Sequence, residues 1–372
     1  MSDLQFEQVA NIKVFGIGGG GCNAVNRMVS EGVKGVEFYV ANTDLQALNI
    51  SPVENKIVLG REVTKGLGAG ANPEMGRRAA QENENEIREA IKGSDMVFIT
   101  TGLGGGTGTG AAPMFAKIAK EEGALTVGIV TKPFTFEGKK RMKSAEDGLA
   151  ELKQYVDSLI IVSNNNLIEV IGRRPLTEAF QAADNVLRQG VQTITDLIAV
   201  PALINLDFAD VRTIMENQGS ALIGIGMAEG EDKARAAAEK AIQSPLLEAQ
   251  ITGASNAIVN ITGGESITLF DAEDAMALVR EAAGNDIDAI FGVAINEKLG
   301  DSIIVTVIAT GFDKEEEEEE EIPAASAFTQ PVSRPSARVQ TEEKPRYQEL
   351  EEDDAMMHPF LSSANHHDIL LY

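Results

Sequence analysis

The chain has 372 residues, 43% of them hydrophobic, and carries 32 lysines and arginines against 57 aspartates and glutamates, a formal net charge of −25. Its length and apolar content predict about two ordinary globular domains, and its charge repels phosphate backbones and anionic lipid, which disfavours nucleic acid as a partner. The single cysteine, Cys22, excludes an intramolecular disulfide framework and a multi-cysteine zinc site. The only histidines are His358, His366 and His367, so histidine catalysis and histidine-bound metals are excluded from the rest of the chain.

The first residues, MSDLQFEQVANIK, lack the basic and apolar regions of a secretion signal. No uninterrupted apolar run approaches the length of about 18 residues that a membrane-spanning helix needs. We therefore expect residues 1–10 to be a flexible N-terminus, and the protein to be soluble, cytoplasmic and without a membrane span.

From residue 12, short apolar runs alternate with helical stretches. The predicted strands are IKVFGIG, VEFYVANTD, DMVFITTG and LTVGIVTKP, with helices AVNRMVSEG and AAPMFAKIAKEEG among them. Short buried strands that alternate with helices indicate a parallel sheet covered on both faces. Residues 11–175 are therefore predicted to form a Rossmann-like α/β domain.

A long helix and a second group of elements follow. A central helix over 176–202, ended by Pro201, is predicted from apolar residues at helical spacing: Leu176, Phe180, Ala183, Leu187 and Val191. Residues 203–312 contain predicted helices ARAAAEKAIQS and DAEDAMALVREAA and predicted strands NAIVNITG, DAIFGVAIN and IIVTVIAT. This pattern indicates a smaller, separable α+β domain.

The composition changes abruptly at Asp313. Lys314 is followed by seven consecutive glutamates and then by a stretch rich in Pro, Ser, Ala and Gln. Such a segment lacks the apolar residues to fold, so a disordered acidic linker is predicted over 313–355, followed by a tail peptide over 356–372. The pair His366 and His367 in that peptide could ligate a metal, but an exposed pair without function is the favoured interpretation.

Glycine dominates residues 100–113, TTGLGGGTGTGAAP, between a predicted strand and a helix predicted to begin near Thr109 with Pro113 in its first turn. Glycine allows a tight turn and lets backbone N–H groups approach an anion, while Thr107 and Thr109 add hydroxyl donors at the positive end of a helix. A plain strand-to-helix turn would need only one or two glycines. The stretch therefore predicts a phosphate-binding loop.

Two further glycine clusters have the same character. Gly16 and Gly18–Gly21 follow a predicted strand, and GLGAGANP at 66–73 forms the third cluster. The first also satisfies GxGxxG with Asp44 at the distance of a ribose-binding acid, so a nicotinamide-dependent oxidoreductase is the competing hypothesis. One helix terminus contributes only about 0.3 to 1 kcal/mol, and micromolar affinity requires roughly 8 kcal/mol. Several loops must therefore converge on one polyphosphate, and no GxxxxGK[ST] motif of a standard P-loop is present.

The motifs GIGGGGCNA, GLGAGANP, GGGTGTG and NLDFADV occur in order, and over residues 11–312 the sequence resembles the tubulin/FtsZ family of GTPases. The resemblance implies that residues 11–175 bind GTP or GDP across the carboxyl edge of the sheet, with Mg²⁺ held mainly through the nucleotide phosphates. It implies that the following residues contact the phosphates and nucleoside: Gly19, Gly20, Gly21, Cys22, Asn23, Ala69, Gly70, Ala71, Gly105, Gly106, Thr107, Gly108 and Thr109.

The resemblance also implies a ribose and base site. Four residues would contact the ribose and phosphates: Thr131, Pro133, Glu137 and Arg141. Phe180 would stack on guanine, although from its spacing alone it would be core packing. Asp184 would accept hydrogen bonds from guanine N1–H and the exocyclic amine, whereas adenine presents an acceptor at N1 and would be repelled. Cys22 is expected to serve as a small residue, with a redox role at a helix N-terminus as the less favoured alternative.

NLDFADV places Asp207 and Asp210 three residues apart, where they could orient a water or simply satisfy a helix N-terminus. The resemblance favours the first, and implies that Asn205, Asp207 and Asp210 complete the active site of the adjacent subunit. Hydrolysis would then depend on polymerisation, and a head-to-tail contact that does not close generates filaments.

The resemblance implies a filament of the cytokinetic (Z) ring at mid-cell, with membrane-anchor and division-regulator proteins bound by the tail peptide. Family tails are usually apolar and basic; this one keeps only Pro359, Phe360 and Leu361 and has no arginine, which puts binding of the usual partners in doubt. A filament protein of the tubulin superfamily that serves cell shape or DNA positioning is a second alternative.

Overall fold

The computed structural model describes residues 10–172, 175–199, 204, 207–244, 249–284 and 287–312. Several sequence predictions lie outside these residues: the N-terminus up to residue 9, Pro201, Asn205, the linker, the tail peptide and the three histidines. Within the described ranges, no helix combines the length and apolar character needed to cross a bilayer.

Six parallel strands form the first part of the sheet. They are β1 (Ile12–Ile17), β2 (Glu37–Asn42), β3 (Asn55–Val58), β4 (Met96–Gly102), β5 (Leu125–Lys132) and β6 (Ser158–Ser163), in the order β3-β2-β1-β4-β5-β6. The helices of this part are α1 (Gly18–Ser30), α2 (Leu45–Ile50), α3 (Arg61–Thr64), α4 (Pro73–Glu82), α5 (Glu84–Ile91), α6 (Thr107–Glu121), α7 (Lys139–Lys153) and α8 (Asn164–Ile171). Because the strands are parallel, their carboxyl ends lie along one edge of the sheet.

Both faces of these strands are buried. Alternate residues such as Val14 and Phe98 pack in one apolar cluster that includes the buried side of α1, whereas Phe15 and Val97 pack in a second cluster with α4, α5 and α6. The side-chain period of two therefore supplies apolar residues to both faces, which explains the nearly continuous apolar runs of the sequence.

The long helix α9 (Leu176–Ala199) packs on α1 and β5. Ala183, Leu187 and Val191 are buried as their spacing predicts, but Phe180 keeps 42% of its surface exposed. The interpretation of Phe180 as core packing is therefore wrong.

The last four strands extend the same sheet. This part contains α10 (Phe208–Met215), β7 (Gly219–Ala228), α11 (Lys233–Ile242), β8 (Asn256–Gly263), α12 (Leu269–Ala283), β9 (Asp288–Ile295) and β10 (Ile303–Thr310). Their order is β7-β10-β8-β9, and β7 joins β6 in parallel through Ser158–Gly219, Leu159–Ser220 and Ile160–Ala221. A third apolar cluster lies under α11 and α12. The second part thus has its own core, while its strands continue the sheet of the first.

Helix α6 begins earlier than predicted. It starts at Thr107 rather than near Thr109, because Gly110 N already donates to Gly106 O at 3.1 Å. Pro113 therefore lies inside the helix and not in its first turn, and that prediction is wrong. Since proline has no N–H, it cannot donate the helical hydrogen bond to the Thr109 carbonyl.

Candidate functional site

Three glycine-rich loops meet at the carboxyl edge of the sheet. The first glycine loop is the first turn of α1 (residues 18–21) directly after β1, the second (103–109) follows β4 and includes the start of α6, and the third (66–72) precedes α4. A methyl group added at Gly18 would lie 2.7 Å from Gly108 N. The first and second loops therefore touch backbone to backbone, which only a residue without a side chain permits.

The third glycine loop packs against the second. A methyl group at Gly106 would lie 2.7 Å from Ala69 Cβ and 2.8 Å from Asn72 N. Gly70 and Ala71 follow with positive φ angles of 59° and 56°, a left-handed conformation that is unfavourable for alanine. Both residues are exposed, so core packing does not account for this conformation.

Some glycines in these loops are not required by the fold. A side chain at Gly19 or Gly105 would meet no atom within 4 Å, and neither residue has a positive φ. Gly70 also faces open space. Gly19 and Gly105 thus leave their backbone bare toward the same edge, and neither packing nor backbone conformation explains why, whereas the φ of 59° already favours glycine at Gly70. A ligand that approaches the main chain does explain it.

The two threonines of the second loop hold the loop itself. Thr107 Oγ1 lies 2.6 Å from Thr43 Oγ1, and Thr109 Oγ1 accepts a hydrogen bond from Gly104 N at 2.8 Å. Both threonines are buried. Their hydroxyls therefore fix the loop that presents the glycine amides.

The segment after β5 closes one side of the second loop. A methyl group at Gly104 would lie 2.7 Å from Arg141 O and 3.2 Å from Pro133 Cγ. Glu137 is fixed there, because its Oε1 accepts from Phe134 N at 2.8 Å and its Oε2 lies 3.1 Å from Arg141 Nε. Thr131, at the end of β5, is buried, and its Oγ1 is 3.5 Å from a methyl group placed at Gly102.

Aromatic rings continue this side of the edge. Phe134 stacks on Phe136 with ring centroids 4.9 Å apart and meets Phe180 edge to face at 5.5 Å. Phe136 is 63% exposed and Phe180 42%. The first turns of α9 are thereby tied to the loop after β5, and an apolar surface suited to a flat ring faces outward.

Asp184 lies one turn after Phe180 on α9. Burial raises the pKa of its carboxyl from 3.8 to about 6, although the positive charge of Arg27 on α1 acts to lower it. No hydrogen-bond donor or ion-pair partner contacts this carboxylate among the residues that the structure describes. A half-buried acceptor without a donor suits a ligand that brings N–H groups of its own.

The remaining residues of the first loop divide between core and surface. Gly21 is required by packing, because a methyl group there would lie 2.2 Å from Thr100 O. Cys22 is buried with Sγ 3.5 Å from Gly16 O, and burial raises the pKa of its thiol to about 12, so it behaves as a small apolar residue. Asn23 and Gly20 are exposed at the start of α1.

Two residues at this edge belong to the site geometry but were not predicted as contacts. Thr43 follows β2 and bonds to Thr107, and Asn164, the first residue after β6, is buried with no hydrogen-bond partner for Oδ1 among the described residues. Because Thr43 and Asn164 directly follow strands that end at the carboxyl edge, the sequence pattern could have identified both as residues of the site. Asp44, the acid of the oxidoreductase hypothesis, caps α2 through Oδ1, which accepts from Gln46 N and Ala47 N.

Asp207 and Asp210 form a reciprocal cap at the start of α10. Asp210 N donates to Asp207 Oδ1 at 2.9 Å, and Asp207 N donates to Asp210 Oδ2 at 3.4 Å. Both side chains are exposed. The helix-starting role considered for these acids is therefore present, and each carboxylate still has free acceptor positions toward solvent.

Helix α10 lies at the opposite end of the strands from the glycine loops. Arg212 donates to Asp95 O at 3.3 Å, and Ser158 Oγ donates to Met215 O at 2.6 Å. Asp95 directly precedes β4 and Ser158 begins β6, so both mark the amino edge of the sheet. The length of β4, seven residues or about 23 Å, separates the two edges.

The described residues contain no group of three or more His, Cys, Asp or Glu side chains that could hold a metal ion.

A mostly parallel sheet with glycine-rich loops at its carboxyl edge defines an α/β nucleotide-binding fold. Comparison with protein-family models identifies which class of nucleotide-binding protein the fold represents. The GTPase domain model of the Tubulin/FtsZ family matches residues 11–172, and the C-terminal domain model of the FtsZ family matches residues 219–313.

Comparison with solved structures indicates the same family. An empty FtsZ dimer from M. jannaschii is 44% identical, with 84% of this chain and 90% of that chain covered and a TM-score of 0.80. A mutant of FtsZ from M. jannaschii is 45% identical over 81% of this chain and 91% of that one, with a TM-score of 0.79. CetZ2 from Haloferax volcanii, solved as a GTPγS-bound protofilament, shares the fold at 20% identity, covering 83% and 96% with a TM-score of 0.70. The chain therefore belongs to the tubulin/FtsZ family, whose members are GTPases that bind GTP and GDP.

Proposed function

We propose that this chain is a GTPase that assembles head to tail into filaments of the cytoplasmic Z ring at mid-cell, and that it hydrolyses GTP to GDP and phosphate between subunits. One observation carries the proposal. The bare glycine loops lie at the carboxyl edge of the sheet, whereas α10, which begins with the Asp207–Asp210 cap, contacts the amino edge through Arg212 and Met215; the length of β4, about 23 Å, separates the two edges. A single chain cannot bring the two together, but two chains stacked end to end can.

The phosphates of GTP would lie across the three glycine loops. Exposed amides at Gly19, Gly20, Gly70 and Ala71 and the half-exposed amide at Gly105 supply donors without side chains in the way. Mg²⁺ would be held mainly through phosphate oxygens and would supply charge stabilisation there. The pair Glu137 and Arg141 would border the ribose.

The base would lie at the first turns of α9. Phe180 offers an exposed ring for stacking, and the carboxylate of Asp184, which has no donor among the described residues, would accept from guanine N1–H and the exocyclic amine. Adenine has an acceptor at N1, so it would leave this carboxylate unpaired and repelled.

Hydrolysis would be completed by the adjacent subunit. Asp207 and Asp210 would orient the attacking water at the terminal phosphate, together with Asn205 as the family resemblance implies. Phosphoryl transfer depends chiefly on positioning and charge stabilisation, so exposed carboxylates held by a cap are sufficient for this role. Such a contact is heterologous and does not close, so it propagates into a filament. Binding of anchor and regulator proteins by residues 356–372 stays a prediction.

The test separates catalysis from helix capping. Asp207→Ser keeps an N-cap oxygen and Asp210→Asn keeps the return hydrogen bond, but each removes a carboxylate. We expect GTP turnover in polymer to fall about a hundredfold or more in each variant, with unchanged GDP affinity and melting temperature. In the unmodified chain, turnover per molecule should show a concentration threshold that coincides with sedimentable polymer. Turnover that stays constant per molecule down to the lowest concentration would refute the shared site.

A further inference from the structure

Helix α7 carries a cluster of unpaired lysines beside the nucleotide edge. Lys139, Lys140 and Lys143 are exposed on its first two turns, and none has an ion-pair partner among the described residues. Lys139 and Lys143 are four residues apart and Lys140 and Lys143 are three apart, so the three share one side of the helix. We call them the lysine face. Arg141 is directed elsewhere, to Glu137.

The lysine face is unusual in this molecule. The first turn of α7 contains no acidic residue and Gly138 provides no side-chain cap, so positive charges stand at the end of the helix where the macrodipole disfavours them. The chain as a whole has a net charge of −25. A local positive surface without internal partners, in an acidic protein, indicates an external anionic partner.

The most acidic segment of the chain begins at the other edge of the sheet. Gly311 packs on Ser255 and Gln218, and Gln218 N donates to Asp157 O, just before β6, at 2.9 Å. The described chain ends at Phe312, and the seven glutamates Glu315–Glu321 follow. The run therefore starts near the amino edge, whereas the lysine face follows the carboxyl end of β5.

Chain length decides which lysine face the run can reach. The run spans three to nine residues beyond Phe312, a reach of about 10 to 30 Å. To reach the lysine face of its own subunit, the run must span the length of β5, which is eight residues or about 26 Å. Only the last glutamates of the run could reach that far. In a head-to-tail stack the amino edge of one subunit faces the carboxyl edge of the next, and the whole run is within reach.

We propose that Glu315–Glu321 of one subunit docks on the lysine face of the next subunit and strengthens the longitudinal contact. The inference rests on the proposed head-to-tail assembly. It adds an ion-pair strap between subunits that is sensitive to salt, because the lysines of the lysine face are solvent-exposed.

The test is a charge reversal with complementation in the full-length chain. Lys140→Glu with Lys143→Glu should raise the critical concentration, measured by sedimentation with GTP, about threefold to tenfold at low salt, and the difference should vanish near 500 mM KCl. Lys117→Glu with Lys240→Glu, exposed lysines on α6 and α11, changes the net charge equally and should have no effect. A second chain with lysines at 315–321 should polymerise poorly alone and restore assembly when mixed with the reversed chain.

The outcomes of this experiment distinguish docking between subunits from a role of the lysines in nucleotide binding and from failure of the proposed function. Restoration only in the mixture supports docking between subunits. An unchanged critical concentration in the reversed chain would refute the strap, and so would weakened GDP binding by its monomer, because the lysines would then serve the nucleotide. Absence of any assembly threshold in the unmodified chain would instead refute the proposed function.

Discussion

The two edges of the sheet offer different chemical groups to the proposed shared site. At the carboxyl edge the groups on offer are main-chain amides, and the residues that matter are glycines whose side chain is absent for no packing reason, as at Gly19 and Gly105. At the amino edge the groups are the carboxylates of Asp207 and Asp210, which also cap a helix. A site made of backbone is visible as an excess of glycine, whereas a site made of capping acids cannot be distinguished from ordinary helix chemistry within one chain.

The largest expected effect comes from filling the bare backbone. Gly105→Val places a side chain in open space without steric conflict, so the fold should persist while the phosphates lose their position. We expect GDP affinity to fall at least about a hundredfold, because two or more charge-assisted hydrogen bonds would be lost. Titration calorimetry measures the affinity and circular dichroism the melting temperature.

Gly21→Ala is the matched control at the same edge. Its methyl group would lie 2.2 Å from Thr100 O, so this variant should lose stability rather than affinity alone. Tight GDP binding by Gly105→Val would contradict a phosphate site on the open glycines.

A smaller effect is expected at the base. Asp184→Asn replaces an acceptor-only carboxylate with an amide that also donates, so GTP affinity should fall about tenfold to hundredfold. Xanthosine triphosphate, which has a carbonyl where guanine has its amine, should bind the variant better than the unmodified chain. Phe180→Ala serves as comparison, since loss of stacking should weaken both nucleotides equally. Equal losses of both nucleotides in Asp184→Asn would exclude base recognition by this residue.

The smallest expected effect is a pH dependence. The pKa of Asp184 is about 6 in the nucleotide-free fold, so at pH 5 about nine-tenths of this carboxyl would be protonated, uncharged and unable to accept from N1–H and the exocyclic amine with both oxygens. GDP affinity should therefore fall about tenfold between pH 7.5 and pH 5 in the unmodified chain, and should vary less in Asp184→Asn.

The stability of the nucleotide-free fold should change with pH in the direction opposite to GDP affinity. The folded pKa lies above the ordinary value of 3.8, so ionisation of Asp184 destabilises the nucleotide-free fold as pH rises from about 3.8 to about 6. Asp184→Asn should therefore raise the melting temperature at pH 7.5 and have little effect at low pH. A lower melting temperature at pH 7.5 would show that burial is not what raises this pKa.

Much of the fold could be predicted because the parallel strands are buried on both faces. β1, β4 and β5 consist almost entirely of buried residues, so their apolar runs stand out. β3, β6 and β7 were not predicted. β3 has only four residues, and β7 contains Gly226, where a side chain would lie 2.0 Å from Ala237 O. The close approach of α11 requires a residue that weakens the sequence signal of a strand.

Parts of the candidate site could not be predicted because they depend on contacts between distant segments. Nothing near Thr107 indicates that its hydroxyl meets Thr43, and nothing near Phe180 indicates that it meets Phe134 rather than the core. The start of α6 was predicted too late, near Thr109, because the glycines were assigned to a tight turn, although Gly106 O already accepts the first helical hydrogen bond.

Helix α9 is one continuous element between the proposed base site and the segment that leads to Asp207. Its 24 residues make a rod of about 36 Å, with Phe180 and Asp184 near one end, while the segment that leads to Asp207 follows the other. A stiff rod transmits displacement along its axis with little loss. If occupation of the proposed base site shifts the helix along its axis, the shift would reach the opposite end of the subunit, where the proposed head-to-tail contact lies.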